Sequence, residues 1–187
     1  MGPVTVRPFE AADLPGAARA LIEVYETDGY PVEGVDDPEA WLRSEHVSAA
    51  WVAETGGDVV GHVAIMRPQG EDAVSLWAGQ NGEDGEDGED REDREDRENE
   101  VDARVAVLAR LFVIDAARGR ATGRRLVEAA MDHARAHGLR LVLDVMAKDA
   151  AAIRLYERLG WRRTGECTHH FGAGRSTPAL CFVAPEG

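Results

Sequence analysis

The most informative segment of the chain is residues 111–125, which read LFVIDAARGRATGRR. An apolar strand that ends at Ile114 runs into a polar turn, and the turn opens a long helix. The first turn of a helix has backbone N–H groups without partners, and the helix dipole adds partial positive charge there. Gly119 and Gly123 allow a ligand to approach the backbone closely. Three arginines add full charges nearby: Arg120, Arg124 and Arg125. The stretch therefore predicts a pyrophosphate site.

The spacing of this stretch separates the possible pyrophosphate ligands. A Walker loop needs Gly-Lys-Ser/Thr and the dinucleotide fingerprint needs Gly-x-Gly-x-x-Gly; neither is present. A basic helix start with glycines used only for packing is the other interpretation. The order Arg118-Gly119-x-Ala121-x-Gly123 resembles the Gln/Arg-x-x-Gly/Ala-x-Gly/Ala element of the GNAT N-acetyltransferase superfamily, which cradles the pyrophosphate of coenzyme A. The usual family form has Gly where this chain has Ala121, a change that we expect to be tolerated if φ is helical.

A second segment supports the resemblance. Residues 148–161 read KDAAAIRLYERLGW and resemble the family's Asn-x-x-Ala-x-x-x-Tyr-x-x-x-Gly-Phe/Trp helix. The opening Val6-Arg7-Pro8 with Asp13, and the run VVGHV at 59–63, also match common family forms. The resemblance extends from about Val4 to Val183. It implies the α/β GNAT fold, with a mixed central sheet of six to seven strands flanked by about four helices.

The hydrophobic periodicity predicts the same element order. Strands are predicted at Val4–Phe9, Ala49–Glu54, Asp58–Met66, Ala103–Ile114, Leu139–Val145, Trp161–Glu166 and Ala179–Val183. Helices are predicted from Asp13 to Tyr25, and over Glu39–His46, Ala121–His137 and Asp149–Leu159. Asp13 and Asp149 are the predicted helix caps. Gly56-Gly57 predicts a tight hairpin turn.

An acidic low-complexity insertion interrupts this pattern at residues 79–101. Residues 83–100 hold 12 acids and three arginines, a net charge of −9 out of the chain's −14, and no apolar residue. Such a segment has nothing to bury, so we expect a disordered surface loop inside a single domain spanning residues 1–187. An acidic docking arm, with the chain acting as an interaction protein, is the alternative.

Composition limits the partners and the compartment. No apolar run of the 187 residues is long enough to span a bilayer, and the first residues lack a signal peptide, so we expect a cytoplasmic protein that does not bind membranes. Its two cysteines are then expected to be reduced. Nucleic acid is an unsuitable partner because phosphates need a basic surface. Oligomeric state is open between monomer and homodimer.

The resemblance implies an enzyme that transfers acetyl from acetyl-CoA to a primary amine by direct attack through a tetrahedral intermediate. The acceptor is a small-molecule amine, or the N-terminal or lysine amine of a protein. A backbone N–H near Val113 would stabilise the oxyanion. The implied acetyl-CoA-binding residues are Leu111, Phe112, Val113, Arg118, Gly119, Arg120, Ala121, Thr122, Gly123, Arg124 and Asp149. A non-catalytic CoA-binding or regulatory module on the same fold is the alternative.

Two residues are the candidates for proton transfer. Tyr156 is the implied general acid, which would protonate the leaving thiolate; its alternative is a core tyrosine on an amphipathic helix. Asp144 matches a position where some family members carry a catalytic Glu, and its alternative is a solvent-facing strand residue. His62 and Glu54 are weaker candidates for the base. Asp149 stands where the family often has a coenzyme-binding Asn, and helix capping is its alternative.

Two further groups of residues are relevant, one as a possible metal site and one as the determinant of acceptor specificity. Cys167, His169, His170 and Cys181 fit no closed zinc motif, so no metal is expected. Acceptor specificity is expected from the loop Thr27–Pro38, which contains Tyr30, and from His169–Ser176.

Overall fold

The secondary structure follows the hydrophobic pattern of the sequence. The computed structural model describes residues 2–82, 104–172 and 174–186. The strands are β1 Thr5–Pro8, β2 Val47–Thr55, β3 Asp58–Met66, β4 Val105–Val113, β5 Arg140–Met146, β6 Arg162–Phe171 and β7 Arg175–Val183. The helices are α1 Leu14–Asp28, α2 Pro38–Leu42, α3 Asp72–Gly82, α4 Thr122–Ala136 and α5 Ala150–Arg158.

All seven strands belong to one mixed sheet, in the order β1-β2-β3-β4-β5-β7-β6. β1 pairs with β2, β2 with β3, and β5 with β7, all antiparallel. β4 and β5 pair in parallel over three residue pairs, Val105 with Arg140, Ala106 with Leu141 and Val107 with Val142. These three pairs lie at the beginnings of both strands. The predicted α/β class with a mixed sheet of six to seven strands is confirmed.

Two compact units divide the chain. The first comprises Met1–Met66, Leu108–His133 and His170–Arg175, and the second comprises Arg67–Val107, Ala134–His169 and Ser176–Gly187. One domain over residues 1–187 stays a prediction. Residues 83–103, which hold most of the acidic insertion at 79–101, lie outside the described residues.

The first unit is built around the hairpin β2–β3 and helix α1. Gly56 and Gly57 have φ of 62° and 90°, the left-handed values that the predicted tight turn requires. The apolar face of α1 is buried with Leu42 and Phe112 in one core cluster. Side chains of this core are Leu14, Ala17, Ala18, Ala20, Leu21, Val24, Leu42 and Phe112.

Asp13 does not cap α1 as the sequence predicted. It occupies the position before the helix, but its carboxylate makes no capping bond to α1. Instead it accepts the Glu10 N–H at 2.8 Å and two bonds of 2.7 Å from the guanidinium of Arg7. Arg7 also pairs with Glu54 at 2.8 Å. The two carboxylates raise the pKa of Arg7, and Arg7 lowers the pKa of Asp13.

The second unit contains β5, α3, α5 and most of β6 and β7. Leu141, Val142 and Leu143 of β5 are buried, as a strand inside a sheet requires. α3 was not predicted, and it extends to Gly82, into the first residues assigned to the insertion. Its sequence contains Gly79 and lacks a clear amphipathic stripe, so local pattern gave little signal. Tertiary burial of Ala73 and Val74 accompanies this helix.

Candidate active site

The end of β4 presents backbone groups at two edges. Ile114 donates its N–H to the carbonyl of Val60 in β3 at 3.0 Å. Because successive residues of a strand point their backbone groups to opposite edges, the N–H of Val113 lies at the edge of β4 that faces away from β3. The family resemblance implied that a backbone N–H near Val113 stabilises the oxyanion.

Gly61 in β3 sets how closely β3 and β4 approach. A Cβ at this position would lie 3.0 Å from the carbonyl oxygen of Phe112, 3.1 Å from a methyl of Leu126 and 3.2 Å from a methyl of Val113. Only the absence of a side chain leaves room for this backbone carbonyl. Gly61 therefore positions the segment of β4 that contains Phe112 and Val113.

The turn after β4 is held by one arginine. A single 3₁₀ turn, Asp115–Ala117, follows the strand. The Nε of Arg118 donates to the carbonyl of Val113 at 3.1 Å, and its guanidinium pairs with Asp28 at the end of α1. Asp28 raises the pKa of Arg118. The side chain of Arg118 thus fixes the turn to the strand that precedes it.

Two residues of the turn have left-handed backbones. φ is 71° at Gly119 and 58° at Ala121. Ala121 was expected to be tolerated if its φ were that of a right-handed helix. The observed φ does not meet this condition. An alanine in this region costs about 1–2 kcal/mol relative to a right-handed conformation, because its Cβ approaches the following carbonyl oxygen. The turn keeps this conformation at a non-glycine position.

The first turn of α4 directs backbone donors outward. The carbonyl of Ala121 accepts the N–H of Arg125 at 3.0 Å, which is the first bond of the helix. The N–H groups of Thr122, Gly123 and Arg124 consequently have no acceptor within the helix. Thr122 is 2% exposed, and its hydroxyl donates to the carbonyl of Ala117 at 2.8 Å, so the side chain faces inward.

The arginines around this helix start also bond within the chain. Arg124 pairs with Glu128 one turn later at 2.8 Å, with its side chain largely exposed. Arg125 donates to the carbonyl of Val4. At the predicted pyrophosphate site, backbone N–H groups and the helix dipole would therefore be the main attraction for an anion, with the arginines adding charge around them.

In the second unit, Asp144 and Asp149 lie near enough to Tyr156 for their charges to affect its pKa. The charges of both aspartates raise the pKa of Tyr156, after the larger effect of burial. Tyr156 is 5% exposed and packs against Trp161 and Phe182, with ring centroids 5.5 Å and 6.3 Å apart. This packing fits the alternative of a core tyrosine, and a role in proton transfer stays a prediction.

Asp144 lies on β5 opposite Cys181 of β7. Its side chain is 22% exposed, and one carboxylate oxygen is 3.7 Å from the Nδ1 of His169. Burial raises the pKa of Asp144, while the nearby His169 lowers it less strongly. The alternative of a freely solvent-facing side chain is wrong, because Asp144 is largely desolvated.

Asp149 precedes α5 without capping it. Its side chain makes no capping hydrogen bond to the helix, so the predicted capping role is wrong. The backbone instead forms a turn in which Asp149 donates its N–H to the carbonyl of Met146 at 2.9 Å. Its carboxylate acts on Tyr156 through charge.

The two weaker base candidates have other roles. Glu54 is paired with Arg7. His62 is 0% exposed, stacks on Phe112 and lies with its Nδ1 3.0 Å from the carbonyl of Arg110. Burial lowers the pKa of His62 to about 4, so the ring is neutral at pH 7 and Nδ1 donates to that carbonyl. A fully buried imidazole cannot collect protons from a solvent-borne amine.

Arg110 is a residue that the sequence interpretation missed. Its φ is 57°, and its guanidinium lies 4.6 Å from the centre of the Trp41 ring. The only signal in the sequence was an arginine in the middle of an otherwise apolar strand, VAVLARLFV.

Similarity to known proteins agrees with this geometry. Residues 17–161 match the model of the acetyltransferase (GNAT) family. The chain belongs to the GNAT acetyltransferase family. It is therefore an acyltransferase of a family that uses acetyl-CoA. Among curated protein sequences, none matches the chain significantly.

Solved structures share the fold at low sequence identity. An N-acetyltransferase from Staphylococcus aureus is 16% identical with a TM-score of 0.67, covering 97% of this chain and 98% of its own. The yncA protein from Salmonella typhimurium, solved with its cofactor acetyl-CoA, is 18% identical with a TM-score of 0.68, covering 97% and 93%. The ribosomal-protein-alanine N-acetyltransferase from Brucella melitensis is 20% identical with a TM-score of 0.67, covering 96% and 98%.

Other site types find no support in the part of the chain that is described. Within residues 2–82, 104–172 and 174–186, no three His, Cys, Asp or Glu side chains are grouped to hold a metal ion. The Sγ atoms of Cys167 and Cys181 lie 3.2 Å apart as free thiols. Over the same residues, no helix has the length and apolar character to cross a membrane.

Proposed function

We propose that the chain is an N-acetyltransferase that moves acetyl from acetyl-CoA to a primary amine by direct attack. The amine nitrogen adds to the thioester carbon and forms a tetrahedral intermediate. As this collapses, the new C–N bond remains, the nitrogen loses its extra proton, the C–S bond breaks, and coenzyme A leaves as a thiolate that takes up a proton. The observation that carries the proposal is the left-handed turn at Gly119 and Ala121, which joins β4 to the start of α4.

The pyrophosphate of acetyl-CoA is assigned to this turn. Left-handed residues turn successive backbone N–H groups toward one side, which makes a concave anion site, and the helix start adds three free donors. The space beside Gly119 is open, because a Cβ there would meet nothing within 4 Å. In the proposal Arg118 acts indirectly by holding the turn. The contributing backbone segment is Arg118, Gly119, Arg120, Ala121, Thr122, Gly123 and Arg124.

The pantetheine and thioester are assigned to Leu111, Phe112 and Val113. Support comes from the alternation along β4, which directs the Val113 N–H away from β3 and leaves it for the thioester oxygen. A backbone donor at that oxygen stabilises the negative charge that develops in the transition state, an effect worth about 2.7–4 kcal/mol per donor in other enzymes. The side chain of Phe112 meanwhile stays in the core of the first unit.

Tyr156 is the proposed donor to the leaving sulfur. A departing thiolate has the basicity of a thiol with a pKa of about 8.5, so proton transfer from an ordinary phenol is slightly unfavourable. Burial and the two aspartates raise the pKa of Tyr156 further, and this keeps the phenol protonated. Hydrogen-bond donation to the sulfur therefore carries most of its proposed effect.

Asp144 is the proposed base. An alkylamine with a pKa of about 10.4 must lose a proton before attack, which costs about 4.6 kcal/mol at pH 7. Burial raises the pKa of Asp144 and makes it a stronger base than an exposed carboxylate. We propose that it collects the amine proton directly or through one water. Asp149, which also lies near Tyr156, is proposed to contact the coenzyme.

The proposal also covers the acceptor, the cellular compartment and the oligomeric state. We propose a small-molecule amine or the N-terminal or lysine amine of a protein as acceptor, in a cytoplasmic enzyme that is a monomer or homodimer. A protein acceptor has a precedent in the fold, since one structural neighbour is a ribosomal-protein-alanine N-acetyltransferase.

A non-catalytic acetyl-CoA-binding module is the second candidate function. The burial of Tyr156, at 5% exposure with two aromatic neighbours, is the observation that favours it. Such a module would bind acetyl-CoA through the same turn without releasing thiol to any amine.

Two measurements on the full chain test the proposal. Thermal unfolding with acetyl-CoA at about 100 times its Kd is expected to shift Tm upward by about 5–10 °C, because binding only the native state adds about 2.7 kcal/mol. Thiol release across an amine panel is then expected to exceed the rate without amine. A shift without amine-dependent thiol release selects the module, and millimolar acetyl-CoA without any shift contradicts both candidates.

A further inference from the structure

Arg110 is a cation in β4 whose bonding is incomplete. Its Nη1 is buried and has no hydrogen-bond partner among the residues that the structure describes. The guanidinium lies over the Trp41 ring at 4.6 Å, and Trp41 packs edge-on against Tyr30 with centroids 6.3 Å apart. A guanidinium carries five donors, and a buried donor without an acceptor is costly. Among the described residues, Nη1 of Arg110 therefore has no acceptor.

The surroundings of Arg110 differ from those of a structural ion pair. Burial lowers its pKa, and the opposing electrostatic contribution comes from Tyr30. In the same unit, Arg7 and Arg118 have their pKa raised because carboxylates bond to them. Arg110 is thus desolvated without the compensation that those two arginines receive.

The backbone keeps Arg110 in this position. Its left-handed φ of 57° is unusual for an arginine inside a strand, and its carbonyl accepts the bond from buried His62. Strain of this kind persists where the surrounding structure fixes it, and such residues often lie at functional sites. Arg110 also directly precedes Leu111, the first residue of the proposed thioester segment.

We propose that Arg110, oriented by Trp41 and Tyr30, binds a carboxylate of the acceptor, which makes the acceptor a free amino acid or a closely similar amino carboxylate. A planar carboxylate matches the guanidinium fork and supplies the negative charge that no acid among the described residues gives to Arg110. The Trp41 ring, 4.6 Å from the guanidinium carbon, helps to fix the position of this cation. This inference rests on the proposed function and narrows its acceptor class.

Matched acceptors give the direct test. For several amino acids, kcat/KM is measured on the free acid, its amide, its decarboxylated amine, and a dipeptide with the same N-terminal residue. The wild-type chain is expected to prefer the free acid by about 10- to 100-fold, the range for a charge-assisted bond in a desolvated site. Equal rates for acid and amide, or a preference for the dipeptide, would overturn the inference.

Variants at one position separate binding from folding. Arg110→Gln is expected to remove the preference by raising KM for the free acid about 10- to 100-fold, with the KM for acetyl-CoA unchanged. Arg110→Lys is expected to recover part of the preference, because it restores the charge without the planar fork. Arg43→Gln, an exposed arginine just after α2, is the matched control and should keep the preference. Equal losses for acid and amide in Arg110→Gln would refute the carboxylate role.

A binding readout distinguishes this inference from the proposed function. If no amine supports thiol release, the catalytic proposal fails, and thermal shifts by free amino acids in the presence of coenzyme A still test Arg110. A shift in the wild-type chain that Arg110→Gln lacks supports the carboxylate site. No shift in the wild-type chain overturns it.

Discussion

Two regions that the family motifs single out are built in different ways. From Val113 to Arg124 the structure offers backbone groups, held by left-handed φ values at Gly119 and Ala121, while the Thr122 side chain faces inward and Arg118 and Arg124 bond to carboxylates of the chain. From Asp144 to Tyr156 it offers side chains whose pKa values are raised by burial. In the proposed function the first region binds acetyl-CoA and the second transfers protons.

This difference predicts how substitutions act. Side-chain removal in the second region should reduce kcat and leave acetyl-CoA affinity intact, since the interaction is used only as charge develops. Changes in the first region should act through backbone position, and therefore on stability and acetyl-CoA affinity together.

Tyr156→Phe is expected to lower kcat by about 10²- to 10³-fold, the range for loss of one hydrogen-bond donor to charge that develops in the transition state. The Kd for acetyl-CoA and the Tm should change little, because the ring still packs against Trp161 and Phe182. Steady-state thiol release and calorimetric titration measure the two quantities. Tyr25→Phe makes the same chemical change at a tyrosine that is 43% exposed, and should be silent. If kcat is unchanged in Tyr156→Phe, the role of Tyr156 is packing and not catalysis.

Asp144→Asn is expected to lower kcat by about 10²-fold, because a water can replace part of a base's effect. The raised pKa means that ionised Asp144 destabilises the native state above that pKa, whereas below the ordinary carboxyl range both states are protonated. Asp144→Asn should therefore raise Tm at pH 7 but not near pH 3. Thermal scans at both pH values check this.

The pH profile gives a second readout on Asp144. Wild-type kcat/KM should fall as pH drops through the raised pKa, and this limb should disappear in Asp144→Asn. Asp58→Asn, an exposed aspartate at the start of β3, is the control. An identical acid limb in both variants would remove Asp144 from the role of base.

Gly61→Ala is expected to destabilise the chain by about 1–3 kcal/mol, since the new methyl would meet the backbone carbonyl of Phe112 at 3.0 Å. Displacement of Phe112 and Val113 should also weaken acetyl-CoA binding. Urea unfolding and calorimetric titration measure both effects. Gly79→Ala, in a helix with nothing within 4 Å of the new Cβ, should instead stabilise by about 0.4–1 kcal/mol. If the two substitutions have equal effects on stability, the close approach of the Phe112 carbonyl is not the reason that position 61 requires glycine.

Ala121→Gly is expected to stabilise the chain by about 0.5 kcal/mol, because relief of about 1–2 kcal/mol of left-handed strain exceeds the entropy that glycine adds to the unfolded state. Acetyl-CoA should bind equally well or slightly more tightly. Ala129→Gly, in the helix that follows this turn, should cost about 1 kcal/mol. Destabilisation of similar size at both positions would contradict a left-handed turn at Ala121.

Local sequence determined most of the secondary structure and the family. Hydrophobic periodicity predicted the strands and four of the five described helices within a few residues at most boundaries. Gly56-Gly57 predicted the hairpin because few other residues adopt two successive positive φ values. The spacing around Gly119 and Tyr156 predicted the family, since both motifs depend on residues close in the chain. Helix α3 was not predicted because the helical signal in its sequence is weak.

Tertiary structure decided what those residues bond to. Asp13 and Asp149 were predicted caps from their positions, yet Asp13 bonds to Arg7 and Glu10, and Asp149 acts on Tyr156 through charge. The close approach at Gly61 and the contact of Arg110 with Trp41 involve residues distant in sequence, and the left-handed φ of Ala121 could not be read from the motif. A periodic pattern reports which face of a segment is buried; desolvation, charge pairing and backbone approach depend on which segments meet.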